Sequence, residues 1–256
     1  MTPRHPYFDN GGRPIALAHR GFSLEGLENS MKAFQAAVDL GYGYLETDAH
    51  GTRDGVAVAL HDETLDRTTD ATGVVSERDW DSVKAARIGG VEPVPRLEDV
   101  LATWPDVRVN IDVKGESGIG PVAEAIERTR SHDRVCVGSF SADRRRATLA
   151  LLSRPVATPA SEREAIAWLL GTWIGGDAHA SLGDVDALQI PWRKGPVPFL
   201  FRRQIEAAHA AGREVHVWTV NRRDHMAHLL DLGVDGLVSD RADILKEVLV
   251  ARGQWA

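Results

Sequence analysis

The sequence is poor in cysteine and has no long apolar run. Cys136 is the one cysteine among 256 residues, so an intrachain disulfide cannot form, and its apolar neighbours predict a small buried side chain. No stretch approaches the roughly 18 to 20 apolar residues that span a bilayer. Residues 1–7 also lack the apolar core of a signal peptide. We therefore expect no membrane span and a cytoplasmic location.

Positive charge is also scarce. Lys and Arg total 30 against 37 Asp and Glu, which gives a formal net charge of −7. Binding to a nucleic-acid backbone usually needs a basic face, so we expect no nucleic acid as the main ligand. An acidic protein that binds a phosphate ester would have to concentrate positive charge locally, through a metal ion or a few Arg and Lys side chains.

Short apolar runs alternate with segments of helical period along the whole chain, which is typical of a parallel α/β protein. The apolar runs predict strands at 15–19, 44–50, 107–113, 134–139, 155–158, 187–190, 214–220 and 236–239. The segments between them predict helices at 29–40, 97–104, 119–130, 142–152, 161–170, 198–211, 222–232 and 241–250.

Eight strands, each followed by a helix, favour a closed (β/α)₈ barrel, or TIM barrel, as a single domain over residues 1–256. The alternative is a doubly wound open sheet, but the glycine fingerprint of that fold is missing after the first strand, where the chain reads His19-Arg20-Gly21-Phe22. Residues 62–96 do not fit the alternation. A segment this long predicts a small insertion within the barrel.

Glu46 and Asp48 stand two residues apart on the second predicted strand. Residues two apart on a strand share a face, so both carboxylates should point the same way. Inside a barrel they would repel each other and resist desolvation unless positive charge lies between them. A hard divalent cation, Mg²⁺ or Ca²⁺, meets that need. The alternative is a pair of exposed strand carboxylates.

Asp54-Gly55 predicts a hairpin turn after the second strand. With these two residues as the turn, the strand register would place His61 directly opposite Asp48, with their Cβ atoms roughly 5 Å apart. The hairpin would thus bring His61 to the carboxylates. A turn one residue longer would break this pairing.

Asp112 and Lys114 repeat the alternation on the third predicted strand, and His19 ends the first. Asp112 could complete a three-carboxylate metal site, and Lys114 could reach a phosphate oxygen; the alternative is a structural ion pair between them. A single strand-end histidine is usually a core residue, but Arg20 and Gly21 after His19 suit a close approach to a phosphate.

Taken in order, these motifs resemble the signature of the glycerophosphodiester phosphodiesterase family, and the likeness runs from about Ala18 to Asp240. The motifs that carry it are His19-Arg20-Gly21, Glu28-Asn29, Glu46-x-Asp48, Asp54-Gly55, His61-Asp62, Leu65-x-Arg67-Thr68-Thr69, Asn110-Ile111-Asp112-Val113-Lys114, Ser139-Phe140, Trp218-Thr219-Val220-Asn221 and Gly233-Val234-Asp235-Gly236 through Asp240.

The resemblance implies a (β/α)₈ barrel with a small insertion after the second strand, one divalent metal ion, and roles for particular residues. The implied acid–base pair is His19 and His61. The implied metal ligands are Glu46, Asp48 and Asp112, where the family usually has Glu at the last position. The implied phosphate and substrate contacts come from Arg20, Lys114, Phe140 and Trp218.

The implied activity is hydrolysis of a glycerophosphodiester to sn-glycerol 3-phosphate and an alcohol. Two alternatives remain: a phospholipase D-type enzyme acting on lysophospholipids, and a non-catalytic protein that binds glycerophosphodiesters. Three polar residues within these motifs, Asn29, Asn221 and Asp240, stand at the starts of predicted helices, so we expect them to act as helix caps. The sequence leaves the headgroup preference and the oligomeric state open.

Overall fold

Parallel strands alternate with helices throughout the computed structural model, which describes residues 5–174 and 182–255. The strands are β1 Ile15–His19, β2 Tyr44–Gly51, β3 Ala57–Ala59, β4 Arg87–Ile88, β5 Glu92–Pro93, β6 Arg108–Val113, β7 Val135–Gly138, β8 Ala187–Ile190, β9 Arg193–Lys194, β10 Val197–Pro198, β11 Glu214–Val217 and β12 Gly236–Ser239. The α-helices are α1 Met31–Asp39, α2 Trp80–Val83, α3 Leu97–Thr103, α4 Ile119–Thr129, α5 Ala142–Leu149, α6 Glu162–Ile174, α7 Arg202–Ala210, α8 Arg223–Leu232 and α9 Ala242–Ala251.

Seven parallel strands form the main sheet in the order β7-β6-β2-β1-β12-β11-β8, with β3 antiparallel to β2. Between β7 and β8, the predicted strand at 155–158 takes the form of isolated bridges, Cys136 to Ala157 and Pro159 to Ala187. The prolines at 155 and 159 lack the N–H that a regular ladder requires. These bridges join the two edges of the sheet, so the ring closes as the predicted (β/α)₈ barrel.

The amino-terminal end of the barrel is closed by the segment before β1. Tyr7 and Phe8 are buried, and Tyr44 at the start of β2 donates its hydroxyl to the Tyr7 carbonyl oxygen at 2.8 Å. Cys136 is buried in the same apolar cluster, as its neighbours predicted. A substrate therefore has access from the opposite end, where the strands terminate and barrel enzymes place their chemistry.

Residues 62–96, predicted as an insertion, contain α2 and the two-stranded β4–β5 hairpin. Their apolar side chains, mainly Leu65, Val75, Val83 and Ile88, form a separate small core together with Val58 of β3 and Leu60 after it. No helix in the described ranges has the length and apolar character to cross a membrane.

The predicted register of the β2–β3 hairpin is wrong by one residue. Ala49 pairs with Ala59, and the Leu60 N–H donates to the Asp48 carbonyl oxygen at 3.0 Å, so Leu60 and not His61 stands opposite Asp48. The turn holds three residues, since Thr52 N–H donates to the carbonyl oxygen of Val56. Gly55 takes a positive φ of 83° at its end, a conformation that glycine adopts without steric cost.

Candidate active site

A cavity of about 560 Å³ opens at the carboxyl ends of the barrel strands. It contains all nine residues that the sequence assigned to a site, namely His19, Arg20, Glu46, Asp48, His61, Asp112, Lys114, Phe140 and Trp218. His61 lines the cavity although the predicted register was wrong, because it follows β3 where the chain reaches the open end of the barrel. The structure therefore brings together side chains that lie up to about two hundred residues apart.

Asp48 is buried and surrounded by donors. Its Oδ1 lies 2.9 Å from Lys114 Nζ and its Oδ2 lies 2.9 Å from Arg20 Nε. Asn29 Nδ2 donates to Oδ2 at 3.2 Å, and the Thr47 hydroxyl donates to Asn29 Oδ1 at 2.8 Å. Burial alone would raise the pKa of Asp48, but the charges of Lys114 and Arg20 outweigh it and hold that pKa below its ordinary value.

Glu46 lies on the same face of β2 as Asp48, but fewer positive groups offset the cost of burying its charge. Its Oε2 accepts the Arg20 backbone N–H at 3.0 Å and lies 3.9 Å from His19 Nε2. Burial, together with the nearby Asp48 charge, raises the pKa of Glu46 to about 7. This carboxylate therefore favours any additional positive charge in the cavity.

The His19-Arg20-Gly21 turn has a backbone shape that few residues could adopt. Arg20 has a φ of 55°, which aims its N–H at Glu46. Gly21 follows with a φ of 82°, and a Cβ there would stand 2.6 Å from the carbonyl carbon of Ala33. The glycine is thus required for the helix α1 to pack against the end of β1.

His19 is held by a carboxylate that directly follows the last barrel strand. Its Nδ1 lies 2.5 Å from Asp240 Oδ1, and Asn221 Nδ2 donates to Asp240 Oδ2 at 2.7 Å. Burial alone would lower the pKa of His19, but Glu46 and Asp240 outweigh it and raise that pKa. Asn221 also accepts the Asp240 N–H, so this pair orients the imidazole.

His61 is likewise held by a carboxylate through its Nδ1. Its Nδ1 lies 2.6 Å from Asp62 Oδ1, and Arg67 Nε donates to Asp62 Oδ2 at 2.5 Å. A hydrogen bond from Arg67 holds the pKa of Asp62 well below its usual range. Arg67 also pairs with Glu28, which in turn pairs with Arg20 at 2.9 Å. This chain of ion pairs links the insertion to the His19 turn.

The expected capping roles of Asn29, Asn221 and Asp240 are wrong. Ser30 caps α1 by accepting the Ala33 N–H at 3.1 Å, and the residues that precede α8 and α9 are arginines. The three polar side chains instead hold Asp48 and His19. All three stand within the motifs that carried the family resemblance, so that pattern was the signal for their role.

Asp112 faces Asp48 across the β2–β6 ladder. Lys114 Nζ lies 2.8 Å from Asp112 Oδ2, so one ammonium bridges both carboxylates, and the ion pair that the sequence left as the alternative is present. Asp112 Oδ1 is buried and has no hydrogen-bond partner in the described part of the chain. Burial raises the pKa of Asp112 although Lys114 opposes it.

The other side of the cavity is apolar. The Phe140 and Trp218 rings meet edge to face with centroids 5.9 Å apart, and Lys114 Nζ lies 5.5 Å from the Phe140 centroid. The wall continues outward through Ala165, Ile166, Leu169, Ile190 and Phe199. The cavity therefore has one apolar side and one charged side.

The carboxylates of Glu46, Asp48 and Asp112 are suitable ligands for a hard divalent cation. They offer oxygen donors, an unsatisfied buried oxygen on Asp112, and a Glu46 carboxylate whose charged form burial disfavours. Within residues 5–174 and 182–255, however, no three His, Cys, Asp or Glu side chains already stand close enough to hold an ion. Lys114 occupies the space between Asp48 and Asp112, so ligation by Asp112 requires this ammonium to shift.

Known proteins resemble this chain along almost its whole length. The model of the glycerophosphoryl diester phosphodiesterase family matches residues 19–244. A probable glycerophosphodiester phosphodiesterase 2 of Mycobacterium tuberculosis is 47% identical, covering 99% of this chain and 97% of the relative. A human lysophospholipase D, GDPD1, is 33% identical over 132 residues, covering 45% of this chain and 42% of the relative.

A solved phosphodiesterase from Oleispira antarctica, in complex with the product sn-glycerol-3-phosphate, superposes with a TM-score of 0.75 at 21% identity, covering 94% of this chain and 98% of that one. At this identity the likeness shows the fold. Because the family match and the mycobacterial relative both cover most of the chain, the protein belongs to the glycerophosphoryl diester phosphodiesterase family and is a phosphodiesterase of that class.

Proposed function

We propose that the protein hydrolyses glycerophosphodiesters to sn-glycerol 3-phosphate and an alcohol, with His19 and His61 as the acid–base pair. One observation carries the proposal: two imidazoles, each fixed through Nδ1 by a carboxylate, line the same cavity as a Lys and an Arg. The product bound to the Oleispira antarctica relative supports the same reaction.

The two histidines divide the proton transfers. With Nδ1 engaged by Asp240 or Asp62, each ring has Nε2 left for the substrate. One histidine removes a proton from the nucleophile while the other protonates the oxygen of the departing alcohol. The nucleophile is either water or the substrate's own glycerol hydroxyl, which would give a cyclic phosphate that water then opens.

Arg20 and Lys114 hold the phosphate in this proposal. Asp48 holds both side chains at the cavity before the diester enters, and Lys114 would move off the carboxylates toward the phosphate when Asp112 ligates an ion. Phe140 and Trp218 line the cavity beside Lys114 and would contact the glycerol carbons.

One divalent ion, Mg²⁺ or Ca²⁺, would be held by Glu46 and Asp48 with Asp112 as the third ligand. When bound, it would neutralise charge on the phosphoryl oxygens. The raised pKa of Glu46 is the property of this chain that favours it.

The experiment that tests this function is a turnover screen. Glycerophosphocholine, glycerophosphoethanolamine and glycerophosphoglycerol are each incubated with the protein across several divalent ions, and released sn-glycerol 3-phosphate is measured. Release from at least one substrate is expected. Binding of these diesters without release would instead support the non-catalytic alternative.

Hydrolysis of lysophospholipids in the manner of a phospholipase D is a second candidate. The apolar wall of the cavity favours it, because Ile166, Leu169 and Phe199 could contact an acyl chain. The human relative is named for this activity. Free choline release from lysophosphatidylcholine, compared with release from glycerophosphocholine, separates the two candidates.

A further inference from the structure

The outer side of the cavity mouth carries a concentration of exposed apolar side chains. On α6, Ile166, Leu170 and Trp173 are 50, 58 and 51% exposed, at spacings that place them on one face of the helix. Val197 in β10 and Phe201 just before α7 are 63 and 41% exposed. These five, which we call the mouth surface, are half of the ten large hydrophobic residues that the described chain exposes.

The two segments of the mouth surface meet directly. The Trp173 and Phe201 rings make an edge-to-face contact with centroids 5.9 Å apart. Ile166 also lines the catalytic cavity, together with Arg193 and Lys194 of β9. The mouth surface is therefore continuous with the entrance of the active site. A contiguous exposed apolar patch of this kind commonly marks an interaction site.

On the side of the mouth surface formed by the segment from β8 to α7, the charge is opposite to that of the protein. No Asp or Glu occurs between Asp186 and Glu206, whereas this stretch contains four cations, Arg193, Lys194, Arg202 and Arg203, in a chain of formal charge −7. All four are exposed, and none pairs with a carboxylate of the described residues. Arg193 and Arg203 lie over the rings of Trp192 and Trp173, at 5.0 and 5.4 Å from the centroids.

We propose that this face docks on an anionic phospholipid bilayer, with the cavity mouth toward the lipid. Exposed Leu, Ile, Phe and Trp side chains enter the boundary between headgroups and acyl chains, and flanking Lys and Arg bind anionic headgroups. Tryptophan is favoured at the same depth. Docking would deliver lipid-borne or newly released diesters straight to the active site.

A second copy of the chain fits this face less well than lipid. In a two-fold dimer the same patch lies on both sides of the interface. The four cations of one copy would then face the same four cations of the other, and no acidic residue of that stretch would compensate them. An anionic surface matches both the apolar and the charged part of the face.

Sedimentation with vesicles tests the proposal. The wild-type protein should bind vesicles of phosphatidylglycerol and phosphatidylcholine, and bind pure phosphatidylcholine at least tenfold more weakly. The Leu170→Glu/Trp173→Glu variant should lose at least tenfold in affinity for the anionic vesicles. Arg202→Gln with Arg203→Gln should weaken binding about thirtyfold, since each cation at an anionic surface contributes roughly fivefold.

A matched control adds the same charge elsewhere. Leu151→Glu with Val250→Glu replaces two side chains that are 55 and 54% exposed but lie outside the mouth surface, and it should bind vesicles nearly as well as wild type. Turnover of a water-soluble glycerophosphodiester should stay unchanged in the Leu170→Glu/Trp173→Glu variant, because neither residue lines the cavity. That assay also shows that the variant is folded.

Three outcomes would overturn the docking surface. One is no binding of the wild type to anionic vesicles. Another is a loss of vesicle affinity in the control variant that equals the loss in the Leu170→Glu/Trp173→Glu variant. The third is a dimer, measured by light scattering, that the Leu170→Glu/Trp173→Glu change dissociates while vesicle binding is absent. Since vesicle binding is measured without substrate, failure of the docking proposal and failure of the proposed hydrolysis are distinguishable.

Discussion

The two halves of the barrel contribute different chemistry to one cavity. Strands β1, β2, β3 and β6, with the residues that follow them, supply both imidazoles, three carboxylates, and the cations Arg20 and Lys114. The second half, from β7 onward, supplies mainly apolar side chains from Phe140, α6 and the segment after β8, with Arg193 and Lys194 at the mouth. Asp240, which follows β12, is the carboxylate of this half that holds His19. We therefore expect changes in the first half to lower kcat, and changes in the second half to alter KM.

Among the changes that act on the charged half of the cavity, removal of divalent ions should lower turnover the most. Exhaustive chelation is expected to lower turnover more than about a hundredfold, since a bound metal contributes several kcal/mol to transition-state stabilisation. Adding Mg²⁺ or Ca²⁺ back should restore the rate. Full activity after chelation, with residual metal measured by mass spectrometry, would show that Glu46 and Asp48 act without an ion.

Replacement of either cavity histidine should be nearly as severe. His19→Ala and His61→Ala are each expected to lower kcat at least about a hundredfold, because a general acid or base contributes roughly 10² to 10⁴. Steady-state kinetics measure this, with circular dichroism to confirm folding. His209→Ala is the matched control, because His209 pairs with Asp235 and does not line the cavity. Wild-type turnover in one mutant would exclude that histidine.

Asp240→Asn tests the one carboxylate that crosses between the halves. We expect a loss of about ten- to a hundredfold in kcat, since misorientation of a catalytic group is costly. Asp240 helps to raise the pKa of His19, so its neutralisation should also shift the matching limb of the pH–rate profile to lower pH. Asp243→Asn, which breaks only the pair with Arg241, should leave the profile in place. An unshifted profile in Asp240→Asn would contradict the positioning role.

The affinity for a divalent ion should depend on pH through Glu46. A metal ligand must be deprotonated, and the pKa of Glu46 is raised to about 7. Protons therefore compete with the ion below pH 7, and the affinity should fall by up to about tenfold for each unit of decrease. Calorimetric titration between pH 6 and 8 measures this. Glu46→Gln should remove that dependence, and an affinity that is flat over the range in wild type would argue against Glu46 as a ligand.

Substitutions on the apolar side of the cavity should have the smallest effect, and they should change KM instead of kcat. Phe140→Ala is expected to raise KM several-fold with little change in kcat, because an aromatic contact contributes about 0.5 to 1.5 kcal/mol. Val91→Ala, at an exposed apolar position outside the cavity, is the control. A large fall in kcat with unchanged KM would place Phe140 in the chemical step and weaken the division between the halves.

Local patterns were enough to predict most of the barrel and the charged residues of the site, whereas Phe140 and Trp218 came from the family resemblance. Strand periodicity put Glu46 and Asp48 on one face, and both line the cavity. The hairpin register was wrong because the turn is one residue longer than Asp54-Gly55 alone suggests. That length depends on the backbone conformation around Gly55, whereas alternation along β2 depends only on the strand itself.

Sequence alone determined which residue types stand at the strand ends, because hydrophobic periodicity and motif spacing are properties of short segments. Only the tertiary structure decided their partners. Asp240 holds His19 across 221 residues, and Asn29 holds Asp48 instead of capping a helix. A polar residue before a helix has several donors and acceptors within reach, and which of them it binds depends on how distant strands pack together.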